Sequence, residues 1–128
     1  MSLLNDMADY LEAQGVGTKA TNIFMSYMPE SPDALSVLYD HGGPAPLILG
    51  NGLRQESPEL QVLTRALDYP TAETAARAVY TALLGCREQT INGTRYISVL
   101  PISQPFFLER DHIPRVIFSC NYSLEVAR

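Results

Sequence analysis

The sequence predicts an α+β fold: a mostly antiparallel sheet with two helices packed on one face. Three observations carry that expectation. Apolar residues recur at helical spacing near the N-terminus and again over 72–83. Near the C-terminus, Val116, Phe118, Cys120, Tyr122, Leu124 and Val126 alternate with Ile117, Ser119, Asn121, Ser123 and Glu125, the period of a strand with one core face and one wetter face. Between two further strand-like runs stands Asn92-Gly93, the strongest short hairpin signal. The 128 residues suit one domain, and residues 1–128 contain no repeat and no linker.

The elements follow in chain order. Ser2 is placed to cap a first helix in which Leu3, Leu4, Met7, Ala8 and Leu11 share a face, and Gly15 is placed to stop it. After a polar connector at 18–22, residues 23–27 read as a short strand ended by the turn residues of 29–33. Residues 35–39 read as a second strand, expected to run antiparallel to the first. Residues 59–67 form another strand. Thr71 is placed to cap a second helix, with Glu73 favourably in its first turn. Ala72, Ala75, Ala76, Val79, Ala82 and Leu83 form its inner face, and Gly85 closes it. The hairpin joins 88–91 to 94–102, where Pro101 and Pro105 end the strand or confine it to an edge. Residues 109–114 make a charged turn before the last strand.

The window 42–58 holds four of the eight glycines and three of the nine prolines. A connection this long is uncommon in a compact domain unless it is functional or mobile. It also carries the apolar triplet Leu47-Ile48-Leu49, which either docks back as an edge segment or is covered by another chain.

Composition excludes several function classes. With 46% hydrophobic and 18% charged residues the chain is globular, and a net charge of −5 opposes a simple phosphate-binding surface. Seven tyrosines could stack bases, but one lysine and eight arginines scattered through an acidic chain make no positive groove. Two cysteines make no disulfide framework, and both are expected as buried free thiols in a reducing cytoplasm. The N-terminal segment lacks a basic region and carries Asp6, Asp9 and Glu12, so no signal peptide is expected, and no apolar run is long enough for a membrane span.

The reactive residues form no recognisable constellation. His41 beside Asp40 and His112 beside Asp111 lie in turns, and two histidines without further ligands at suitable spacing make no metal site. Gly50-Asn51-Gly52 opens no helix and lacks a third glycine, no Gly-Lys-Ser or Gly-Lys-Thr is present, and neither is a Gly-x-Ser-x-Gly elbow. Cys86 follows a helix C-terminus, whose partial negative charge disfavours a thiolate. Asn92-Gly93-Thr94 and Asn121-Tyr122-Ser123 fit the glycosylation pattern but read as a turn and a strand. No catalytic residue, cofactor or metal is expected. Arginine and aromatic residues are enriched at protein interfaces. The residues expected to meet a partner or second subunit are therefore Leu47, Ile48, Leu49, Arg54, Arg95, Phe107, Arg110 and Arg115.

The ordered series Asn92-Gly93-Thr94-Arg95-Tyr96-Ile97, Pro105-Phe106-Phe107-Leu108-Glu109-Arg110-Asp111 and Arg115 to Tyr122 resembles the minor capsid, or tail terminator, family of long-tailed phages and prophages. The start, Leu3-Leu4-Asn5-Asp6 through Tyr10-Leu11, and the segment Leu60-Gln61-Val62 to Asp68-Tyr69-Pro70 with the alanine-rich helix after it, fit the same family. The turn 111–115 lacks the glycine expected there, and 42–58 aligns to nothing. The resemblance implies an α+β subunit without catalytic residues, in a homohexameric ring that caps the tail tube, meets the head-completion protein and lets DNA pass. It places the protein in the host cytoplasm during assembly and then at the head–tail junction of the virion. The alternative is a small-molecule-binding or regulatory α+β domain, which predicts a deep, apolar, water-excluded pocket.

Overall fold

The computed structural model describes residues 3–45, 47–48, 50 and 54–127, without the side chains of 47, 48 and 54. Helix α1 spans Leu3–Ala13 and α2 spans Tyr69–Leu84. Nine strands are defined among the described residues: β1 Ile23–Met25, β2 Leu35–Asp40, β3 Leu47–Ile48, β4 Arg54–Glu56, β5 Glu59–Ala66, β6 Gln89–Ile91, β7 Thr94–Pro101, β8 Phe106–Arg110 and β9 Val116–Ala127.

Strand β9 organises the sheet. Along one edge it pairs with β5 and then β4; along the other it pairs with β8 and then β7, all antiparallel. Each flanking line is interrupted by proline, which cannot donate to a ladder. Pro58 separates β4 from β5, and Pro101 and Pro105 bracket the gap between β7 and β8. The Pro58 carbonyl still accepts from the Leu124 N–H at 2.9 Å, and the Ile102 N–H donates to the Asn121 carbonyl at 2.8 Å. Beyond β5 the order continues through β2 to β1, and beyond β4 to β3.

Both helices cover one face, as expected. Met7, Ala8 and Leu11 of α1 and Val79 and Leu83 of α2 share a core with Leu38, Leu60, Val62, Tyr96, Tyr122 and Leu124. Ala66, Ala72, Ala76, Val116 and Phe118 form a smaller cluster where α2 enters. Helix α1 ends in a left-handed Gly15 (φ +78°), with the Val16 N–H on the Leu11 carbonyl and the Gly15 N–H on the Glu12 carbonyl, a Schellman closure. Its proposed cap Ser2 lies outside the described residues. Asn92 (φ +50°) and Gly93 (φ +82°) turn the β6–β7 hairpin, both in the left-handed region that a type I′ turn requires.

Four expectations are corrected. The sheet is mixed and curled into a half-barrel: β1 and β2 are parallel, because residues 26–34 cross over instead of making a hairpin. Asp68, not Thr71, caps α2; its Oδ1 accepts from the Thr71 N–H at 2.9 Å, and Pro70 sits in the first turn, where its missing N–H costs nothing. Glu109 and Arg110 end a strand (β8, Phe106–Arg110) instead of opening the charged turn expected over 109–114. Finally, β9 does not keep one wet face throughout: Val116 to Cys120 are all buried, and strict alternation of buried and half-buried residues begins only after Cys120. Of the window 42–58, the described strands β3 and β4 pair antiparallel at the sheet's edge.

Candidate assembly surface

Two neighbouring regions flank the turn from β8 to β9. The first is a buried arginine clamp. Arg65 and Ile117 are paired on β5 and β9, on the sheet face away from the helices. Arg65 is 2% exposed and donates four hydrogen bonds to main-chain carbonyls: Nε to Asp33 at 3.1 Å, and Nη2 to Pro29 at 2.8 Å, Glu30 at 3.2 Å and Pro32 at 2.7 Å. Arg115 is 1% exposed; its Nη1 donates to the Glu30 carbonyl at 2.5 Å and Asp33 Oδ1 at 3.1 Å, and its Nε to Asp111 Oδ2 at 2.8 Å. The two guanidinium groups thus hold the 29–33 turn down, which is what lets β1 and β2 run parallel.

Asp111 closes this unit. Its Oδ1 accepts from the N–H groups of Ile113 at 3.2 Å and Arg115 at 2.7 Å. Desolvation opposes its ionisation, but the hydrogen bonds from Arg115 and Ile113 and the Arg115 charge outweigh it and hold the carboxyl below the ordinary carboxylate range. Burial pushes the Arg65 pKa down, with the nearby Arg115 charge adding to it.

The second region is the strand β8. Every one of its five residues is exposed, including Phe106 and Phe107 at 41% and Leu108 at 42%. Leu100 and Ile102, at the end of β7 and just beyond it, are exposed as well. Phe107 is braced from beneath: its ring lies 6.3 Å from Phe118 and 6.0 Å from Tyr69, and Tyr69 is 5.0 Å edge-on to Phe118. The Arg110 guanidinium stands 6.0 Å from the Phe107 ring centre, a cation–π contact at an exposed site. The outer edge of β8 pairs with no described strand. An apolar strand with one open edge is a template for another chain.

The structure scatters the residues expected at an interface. Phe107 and Arg110 lie together on β8. Arg115 is turned inward and is withdrawn from the surface set, because it is buried with Nε and Nη1 bonded to Asp111, Asp33 and Glu30. Arg95 is exposed on β7 and pairs with Glu88. Leu47 and Ile48 form the edge strand β3 and Arg54 begins β4; Leu49 lies outside the described residues. Sequence reading missed Phe106 and Leu108 as a pair with Phe107. The available signal was three consecutive apolar residues between Pro105 and a charged turn. Arg65 was also missed; its signal was an arginine on a strand whose alternation turns it away from the helices, toward a carbonyl-rich Pro-Glu-Ser-Pro turn.

Catalytic arrangements find no geometry. The Asp40 Oδ1 accepts from the Gly42 N–H at 2.8 Å, and His112 Nε2 lies 3.5 Å from Glu30, not on Asp111. Burial pushes the Cys86 thiol up to about 11, and Cys120 is raised for the same reason, away from nucleophilic thiolate. A groove of about 740 Å³ runs between the end of α1 and α2, bounded by Tyr10, Gln14, Val16, Thr74, Arg77 and Thr81. It is wide and open, and Arg77 is its one charged side chain, reaching Gln104 at 3.5 Å. That is unlike the enclosed pocket a small-molecule domain would present.

The profile of the family described as bacteriophage tail terminator protein matches residues 10–128. Among solved structures, a chain of the virion of a native gene transfer agent particle has a similar fold, with a TM-score of 0.68, 17% identity, and coverage of 99% of this chain and 96% of that one. No curated protein matches the sequence significantly. A family match over nearly the whole chain, on a fold whose exposed apolar strand is open to another chain, identifies the protein as a member of the bacteriophage tail terminator family.

Proposed function

We propose that this chain is a structural virion-assembly protein that caps the tail tube and joins tail to head, as a homohexameric ring whose lumen passes DNA. It makes and breaks no bonds. The family match over residues 10–128 carries the reading, and the similar fold within a gene transfer agent virion fits it. Its partners are further copies of itself, the tail tube protein and the head-completion protein. Assembly takes place in the host cytoplasm and ends at the head–tail junction.

Size and charge are compatible with that role. A 128-residue subunit has a radius of gyration of ~14 Å, hence a diameter of roughly 35 Å. Six such discs in contact leave a hole about one subunit wide, enough for a duplex. At −5 each, six copies carry about −30, which favours passage of DNA over adhesion.

The test is to incubate purified tail tubes with the protein and image their ends. The expected result is a density with a central channel on one end of each tube, present only when the protein is added. Bare tube ends at saturating protein would refute the reading.

A further inference from the structure

We propose that β8 of one copy pairs edge to edge with β3 of a second copy, so that copies join head to tail. The inference rests on the ring reading above and gives it a contact. Four described strands end the sheet: β1, β3, β6 and β8. Strand β6, Gln89-Thr90-Ile91, is largely polar, and β1 has Ile23 buried and Phe24 half-buried, with Met25 alone exposed and Lys19 bridged to its first residue. That leaves β3, apolar in sequence at Leu47-Ile48, and β8, with Phe106-Phe107-Leu108 exposed, lying on opposite sides of β9.

Their placement decides the mode of association. The β3–β4 hairpin continues the sheet beyond one edge of β9, and β8 lines the other edge. A copy therefore offers two different edges on opposite sides. Joining unlike patches is a heterologous contact, which repeats from copy to copy and closes a ring when the rotation allows. Pairing β8 with another β8 would stop at two copies and leave β3 open.

The exposed area is of the right order. Phe106, Phe107, Leu108, Leu100 and Ile102 are 41–56% exposed; at ~200 Å² for a large apolar residue they present about 450 Å². That is within the range for the largest patch of a typical monomer. A stable interface removes ~800 Å² from each partner, so this strip would supply about half of one side. Register puts Phe106, opposite Ser119, and Leu100, opposite Ser123, on one face of β9, while Phe107, opposite Phe118, lies on the other, so the apolar surface wraps the open edge of β8. Natural edges are usually guarded by charge. Here the charges Glu109 and Arg110 sit only at the far end, and Arg110 is held against Phe107.

The test places Ile48→Cys and Leu108→Cys in the same chain, loads the protein on tail tubes and oxidises mildly; the native Cys86 and Cys120 are buried. A ladder of disulfide-linked multimers is expected, at least tenfold stronger than with either single substitution. Efficient dimers from Leu108→Cys alone would show β8 meeting β8 and overturn the proposal. So would the absence of a disulfide ladder on tubes whose ends still carry the channelled density; the ring reading would then stand with a different contact. If the tube ends carry no channelled density at saturating protein, the ring reading itself fails, and this contact with it.

Discussion

Arg110 and Arg115 stand five residues apart, and the protein uses them in opposite ways. Arg115 is buried at the start of β9, with donors on Asp111, Asp33 and Glu30; Arg110 is exposed at the end of β8, lying over Phe107. Around Arg115 the polar groups are turned inward and mostly matched, Nη2 alone lacking a hydrogen bond and standing 3.7 Å from the Glu30 carboxylate. Around Arg110 the apolar groups are turned outward and unmatched. A buried cation persists only where carbonyls and carboxylates satisfy it. Exposed aromatics on an open strand edge have no such compensation within one copy. One side of this turn is finished by folding, and the other is left exposed.

The contrast can be broken most forcefully on its buried side. Arg65→Met keeps the volume but leaves the carbonyls of Pro29, Glu30, Pro32 and Asp33 short of donors. We expect a loss of about 3–5 kcal/mol in urea unfolding, with added hydrogen exchange over 26–34. A loss under ~1 kcal/mol would mean that the clamp does not hold the turn.

Acid should loosen the same side by a smaller amount. The Asp111 carboxyl is depressed when folded, so its contribution is complete above the ordinary value of 3.8 and fades as pH falls through the folded value. The urea midpoint should therefore be flat above about pH 5 and fall below pH 4. Asp111→Asn should flatten only part of that fall, because Asp9 is also depressed, by hydrogen bonds from Asn92 and Lys19 at the other end of the molecule. An unchanged acid slope in the Asp111→Asn variant would contradict this.

The smallest stability effect is expected on the exposed side. Phe106→Ser with Leu108→Ser should shift unfolding by no more than ~0.5 kcal/mol while abolishing multimers on tail tubes. A large loss of stability would show that β8 contributes to the core of a single copy.

Much of the fold was legible in the sequence, because its signals are local. The alternation after Cys120, the left-handed pair Asn92-Gly93 and the inner face of α2 at Ala72, Ala76, Val79 and Leu83 all follow from nearest-neighbour patterning. The direction of β1 against β2 was not legible, since the turn between them is set by Arg65 and Arg115, more than thirty and eighty residues away. The exposed strand β8 was half legible. Phe107 and Arg110 were expected at the surface, but a strand with every residue exposed lacks the alternation that marks a strand, and the turn composition alone could not distinguish Arg115 from Arg110.

The central claim is that the open apolar edge of β8 is covered by a neighbouring copy. A cryo-electron microscopy map of the protein bound to tail-tube ends, at a resolution that separates strands, tests it directly. The account predicts one sheet running across each subunit boundary, β8 of one copy beside β3 of the next, with Phe106 and Leu108 out of solvent. A map in which β8 faces solvent at every boundary would contradict it.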